Sequence, residues 1–156
     1  MAITRRQAAA SAALFVLPAE GRTVFSAEEA AMITQLADIL VPPDETPGAG
    51  EAGAVRYLER QLQGPLKRFE KAWHEGLAAL RARGFAGMSV EARTALVEEM
   101  GAGRIPELRA FFEMALDQVM QSYFGDPKHG GNAGETSWKL LGIESVMRAG
   151  PHGGHK

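Results

Sequence analysis

The chain has 156 residues and a formal net charge of −2, with 46% apolar and 23% charged residues. That length fits one domain with a single sizeable core, and the apolar-to-charged balance fits a soluble globular chain rather than a disordered one. Lys and Arg are scattered among Asp and Glu, so the clustered basic face wanted by a nucleic-acid or anionic-membrane surface is missing. There are no cysteines, which removes disulfides, thiolate catalysis, cysteine-ligated iron–sulfur clusters and covalent c-type haem attachment.

The N-terminus, "MAITRRQAAASAALFVLPA", holds Arg5 and Arg6, an apolar run from Ala8 to Leu17 and a small residue at Ala19. Basic, apolar and small-residue zones in that order predict a signal peptide over residues 1–19. The apolar run is about half the length of a spanning helix. Thr4-Arg5-Arg6-Gln7 is similar to a twin-arginine signal, which serves proteins that fold before export. Two positions depart from the usual pattern: Ala8 replaces a bulky apolar residue, and Leu17 is large for its place two before Ala19.

The rest of the chain predicts an all-α domain over residues 26–146, a compact bundle of about five helices, followed by a polar, Gly-rich tail over 147–156. Ser26 with Glu29 forms a capping box for a helix whose face carries Met32, Ile33, Leu36, Ile39 and Leu40. Pro42-Pro43 stops that helix. The stretch "PPDETPGAGEAG" is a turn-rich connector. Val55, Leu58 and Leu62 mark a short second helix broken at Gly64-Pro65, and Pro65 suits the first turn of a third. Leu66, Phe69, Trp73, Leu77 and Leu80 form the third helix's face, and Gly84 is its terminator. Ser89 caps a fourth helix carrying Val90, Leu96, Val97 and Met100, closed by Gly101 and Gly103. From Pro106, a broad stripe of Leu108, Phe111, Phe112, Ala115, Leu116, Val119, Met120, Tyr123 and Phe124 predicts the central core helix.

After it comes "GDPKHGGNAGETSWKLLGI", residues 125–143, dense in special backbone residues. Gly125 suits a left-handed helix end, Asp126 before Pro127 favours a turn, and Gly130, Gly131 and Asn132 tolerate positive φ. Trp138, Leu140, Leu141 and Ile143 then supply an apolar return segment and a short terminal helix that dock on the long helix. This loop reads either as a compact return to the core or as a rigid recognition surface.

No site chemistry is legible. His74, His129, His152 and His155 lack metal-site spacing. "GGNAGETS" has no Lys after its last glycine, and no strand precedes it, which excludes phosphate-loop and dinucleotide patterns. Asp126, His129, Thr136 and Ser137 share one stretch, which alone does not make a triad.

Two separated motifs carry a resemblance. "ADILVPPDETPGAGEAGAVRYLERQL" and "SYFGDPKHGGNAGETSWKLLGI", in this order and spacing, resemble the gluconate 2-dehydrogenase subunit 3 family across roughly residues 26 to 145. The resemblance implies a small helical accessory subunit with a twin-arginine signal and no catalytic residues of its own. It implies a large FAD-containing sugar or sugar-acid dehydrogenase as partner, often with a multihaem cytochrome c as a third subunit. The implied complex is periplasmic and associated with the inner membrane. The candidate contact residues are Asp126, Pro127, His129, Gly130, Gly131, Asn132 and Trp138, with Pro43, Asp44 and Pro47 second. Two alternatives stand beside this reading. One is an exported helical protein that binds a small ligand among Phe69, Trp73, Phe111, Phe112 and Tyr123; the other is a hydrolase using His129.

Overall fold

A computed structural model of the chain describes residues 22–143. The expected signal over 1–19, with Arg5 and Arg6, the last residues of the expected domain (144–146) and the tail over 147–156 lie outside the described residues. The described chain folds into six α-helices: α1 Ala27–Leu40, α2 Ala54–Leu62, α3 Glu70–Ala82, α4 Val90–Gly101, α5 Pro106–Phe124 and α6 Thr136–Leu141. Short 3₁₀ turns lie at Lys67–Phe69, Phe85–Gly87, Pro127–His129 and Ala133–Glu135, and no strand occurs among the described residues. None of the described helices is long and apolar enough to cross a membrane.

Local chemistry sets most of the boundaries. The Ser26 hydroxyl accepts the Glu29 N–H at 3.2 Å, and the Glu29 carboxylate accepts the Ser26 N–H at 2.9 Å, so both halves of the capping box form. α1 stops at Leu40, with Val41 turned out of helical geometry ahead of Pro42. Ser89 caps α4 through the Ala92 N–H, Pro106 opens α5, and Gly84 is left-handed just past α3. The start of α3 differs from expectation. Leu66 N–H bonds back to Gln61 C=O at 2.8 Å, closing the end of α2 first, and a 3₁₀ turn intervenes before α3 begins at Glu70. Pro65 therefore belongs to the turn and not to the helix.

The core sits around α5, which touches all five other helices. Leu108, Phe111, Ala115, Val119 and Tyr123 are buried along it, while Met120 and Phe124 at the rim of the same stripe are exposed. Trp73 is fully buried from α3, edge-on to Phe111 at 5.5 Å and to Phe25 at 6.1 Å. Its indole N–H donates to the buried Gln118 Oε1 at 2.8 Å, which satisfies both polar groups inside an apolar core. Of the apolar residues expected on α4, Val97 and Met100 are buried and Val90 is exposed.

α3 and α5 approach closely at Gly76. A Cβ there would run into the Phe111 ring. Gly76→Ala should gain up to about 1 kcal/mol of helix propensity and lose more to overpacking, which costs about 1–3 kcal/mol. The expected net is a lower urea midpoint with an unchanged m-value, partly recovered by adding Phe111→Leu.

Candidate partner interface

The first loop, residues 42–53, is organised by two carboxylates. Asp44 Oδ1 accepts the Thr46 N–H at 2.7 Å and its hydroxyl at 2.9 Å, making a local turn. Asp38, projecting from α1, accepts the Gly50 N–H at 2.8 Å. A Cβ on Gly48 or Gly50 would stand only 2.6 or 2.7 Å from that carboxylate, so the glycines let the chain wrap it.

The expected left-handed end of α5 does not form. Gly125 is extended (φ −76°, ψ 176°) rather than left-handed. Glycine is required there because a Cβ would strike the Gln121 carbonyl of the last α5 turn. Asp126 then accepts the Lys128 N–H at 3.0 Å and opens the Pro127–His129 turn, as the Asp-Pro pair predicts. Gly130 is left-handed at φ 104°. Gly131 has no positive φ; it lies with its Cα against the backbone of Ser122, where any side chain would hit the Ser122 carbonyl. Asn132, left-handed at φ 46° and fully buried, fastens the loop at both ends. Its amide N–H donates to the Gly125 carbonyl at 3.0 Å, and its Oδ1 accepts the Ser137 N–H at 2.9 Å. The Trp138 indole N–H donates to the Phe124 carbonyl at 3.0 Å. Leu140 and Leu141, expected to dock with Trp138, are exposed instead, since the six-residue α6 presents only one face to α5.

The two loops, some eighty residues apart in sequence, meet as one body. Ala133 N–H donates to Ala52 C=O at 2.8 Å, and Arg56 Nε donates to Gly130 C=O at 2.6 Å. Gly53 is left-handed at φ 103° and passes so close to Gly130 that a Cβ would sit 2.8 Å from its carbonyl. Tyr123 reaches from α5 into the first loop, donating to Pro47 C=O at 3.1 Å, with Thr46 Oγ1 3.4 Å away. Beneath them Ala37, Ala49, Ala52, Ala54, Val119 and Tyr123 form a small second core.

The candidate residues thus divide by exposure. Pro43, Asp44 and His129 are exposed, and Pro47, Asp126 and Pro127 are half-buried. Gly130, Gly131, Asn132 and Trp138 are buried and shape the loop from within. Beside the loop lies a shallow, mostly apolar groove lined by Tyr57, Asp117, Met120, Gln121, Phe124, Gly125 and His129. Tyr57 donates to Gln121 Oε1 at 3.1 Å along its wall. Met120, Phe124 and Arg56 were absent from the sequence-derived candidates. For Met120 and Phe124 the signal was the excess width of the α5 stripe, whose rim its neighbouring helices leave exposed; Arg56 on α2 carried no such signal, because its partner is the distant Gly130 carbonyl. The aromatics considered as a ligand pocket are split between two cores: Trp73 and Phe111 lie in the large one and Tyr123 in the small one. Ser137 Oγ is buried and bonds no other group, so it makes no triad with His129.

Charge on the loops is graded. The Lys128 ammonium and N–H hold the Asp126 carboxyl below its ordinary pKa, and the Thr46 N–H does the same for Asp44. Burial pushes Asp38 the other way, against the pull of the Gly50 N–H. A raised folded-state pKa means that Asp38 contributes stability at low pH which is lost as pH rises through its folded value. Relative to Asp38→Asn, the wild-type chain should therefore lose stability as pH climbs just above the ordinary aspartate range, and carboxyl NMR should find Asp38 titrating above Asp44 and Asp126. Asn132→Ala removes two buried side-chain bonds and keeps a left-handed backbone. It should cost about 2–4 kcal/mol in urea unfolding, and Asn132→Gly about 1 kcal/mol less.

Comparison with curated proteins finds no match. Comparison with solved structures finds none either. A family model described as Gluconate 2-dehydrogenase subunit 3 matches residues 27–144, a span that takes in all six helices and both loops. The chain belongs to the gluconate 2-dehydrogenase subunit 3 family.

Proposed function

We propose that this chain is the non-catalytic small subunit of a periplasmic, membrane-associated dehydrogenase that oxidises a sugar or sugar acid with FAD held in a large partner subunit. In this reading the small subunit supports folding and assembly of the flavoprotein. The signal over residues 1–19, with Arg5 and Arg6, takes both through the twin-arginine translocase as one folded complex. A cytochrome c completes the complex as a third subunit, and the flavin and any haem belong to the partners. Binding only the folded flavoprotein would stabilise it by mass action.

One observation supports this reading above the others: two distant motif loops are cross-linked into a single pre-ordered body beside an exposed apolar groove. A surface that is already ordered loses little entropy on binding, and half-exposed Met120 and Phe124 supply apolar area for a partner to cover. The contact surface is then Pro43, Asp44, Pro47, Asp126, Pro127 and His129 together with that groove. The buried Gly130, Gly131, Asn132 and Trp138 act by holding its shape.

Affinity purification of the full chain from its native host should bring down a stoichiometric yellow polypeptide of flavoenzyme size. The double change Met120→Asp and Phe124→Asp should cut its recovery by about tenfold, equivalent to about 1.4 kcal/mol, while removal of residues 147–156 leaves it unchanged. A colourless, solitary protein overturns the reading.

A further inference from the structure

The groove beside the return loop has opposite charge on its two sides. On the α2 side stand Arg56 and Arg60, both exposed, four residues apart and so on one helix face. Arg56 donates its Nε–H to the Gly130 carbonyl at 2.6 Å, and its Nη2 lies 3.1 Å from where a Gly53 Cβ would be. The Arg60 stem crosses the same turn, with its Cδ 3.1 Å from where a Gly130 Cβ would be. Among the described residues no carboxylate lies within ion-pair distance of either guanidinium. Lys128, in the turn beside them, already pairs with Asp126 at 2.8 Å. On the α5 side Asp117 lines the groove, its carboxylate accepting the Gln121 side-chain N–H at 2.8 Å.

Like charges one helical turn apart repel, and no acid of the described chain offsets this pair. A guanidinium already held against the loop loses less freedom on meeting a carboxylate than a loose one does. Cations and apolar surface also meet at one spot. Tyr57 follows Arg56 and His129 precedes Gly130, and both line the groove beside half-exposed Met120 and Phe124. Resting on the subunit role proposed above, we infer that the occupant of the groove is an acidic, apolar segment of the flavoprotein. An apolar side chain of that segment covers Met120 and Phe124, and an adjacent Asp or Glu is forked by Arg56 and Arg60. Asp117 repels that carboxylate from the α5 side, which sets the direction in which the segment lies. The apolar contact supplies area; the arginine pair supplies register and choice of partner.

The test uses complex purified through the tagged full chain from its native host, with that chain wild type, Arg60→Glu or Arg60→Lys. The Arg60 side chain is exposed and has no ion-pair partner among the described residues, so both variants should keep a urea midpoint close to wild type. At low salt the Arg60→Glu chain should retain about tenfold less flavoprotein than wild type. In about 1 M salt, where charges are screened beyond about 3 Å, the two should converge. A water-soluble carbodiimide joins a carboxylate to a neighbouring amine but not to a guanidinium. In the Arg60→Lys complex it should link position 60 to an Asp or Glu of the flavoprotein with an apolar neighbour in sequence, read by peptide mass, while wild type gives no link there. If Arg60→Glu retains as much flavoprotein as wild type at low salt, or the link is absent or runs to a second copy of this chain, the inference fails while the subunit reading stands. If wild type brings down no flavoprotein, the inference falls with that reading.

Discussion

The arrangement depends on one backbone-to-backbone contact, where Gly131 lies on Ser122 near the end of α5. Neither partner has bulk to spare: Gly131 has no side chain, and the Ser122 hydroxyl is folded down onto the Val119 carbonyl at 2.7 Å. With the loop that close, Asn132 can span from the Gly125 carbonyl to the Ser137 N–H, and Trp138 can reach the Phe124 carbonyl. Those bonds satisfy main-chain groups that the end of a helix otherwise leaves to solvent. The loop caps α5 by replacing water with its own polar atoms.

Much of this was legible in the sequence because it is local. The Ser26–Glu29 box, the Pro42 stop, the Ser89 cap, Pro106 at the start of α5 and the Asp126-Pro127 turn are all set by residues within a few positions of one another. The long stripe of α5 foretold the central helix for the same reason. What the sequence hid is tertiary. Gly125 and Gly131 look like residues chosen for positive φ, but both are needed for close approach, which depends on what lies opposite. Glu135, with nothing in its side chain to suggest it, is left-handed at φ 59°.

The candidate surface was half legible on similar grounds. A motif marks which residues matter without saying whether they face outward or inward. Pro43, Asp44 and His129 face solvent, whereas Asn132 and Trp138 face the protein and set the loop's shape. Polar residues inside the core were equally hidden: Gln118 interrupts an apolar stripe and reads as a solvent position until the Trp73 indole is found beside it. Its amide satisfies an N–H that would otherwise be buried without a partner.

The bonds joining the loops carry a consequence for how such a chain can change over time. Arg56 stands 74 residues before Gly130, and Ala52 is as remote in sequence from Ala133, yet each pair shares a hydrogen bond, and Tyr123 ties α5 to the first loop at Pro47. A loop transplanted alone into a related scaffold would arrive without its counterpart's carbonyls and with Arg56 lacking an acceptor. The two segments are therefore inherited, or engineered, as one part: a chimera that exchanges both together with Tyr123 keeps its geometry, and one that exchanges either alone does not.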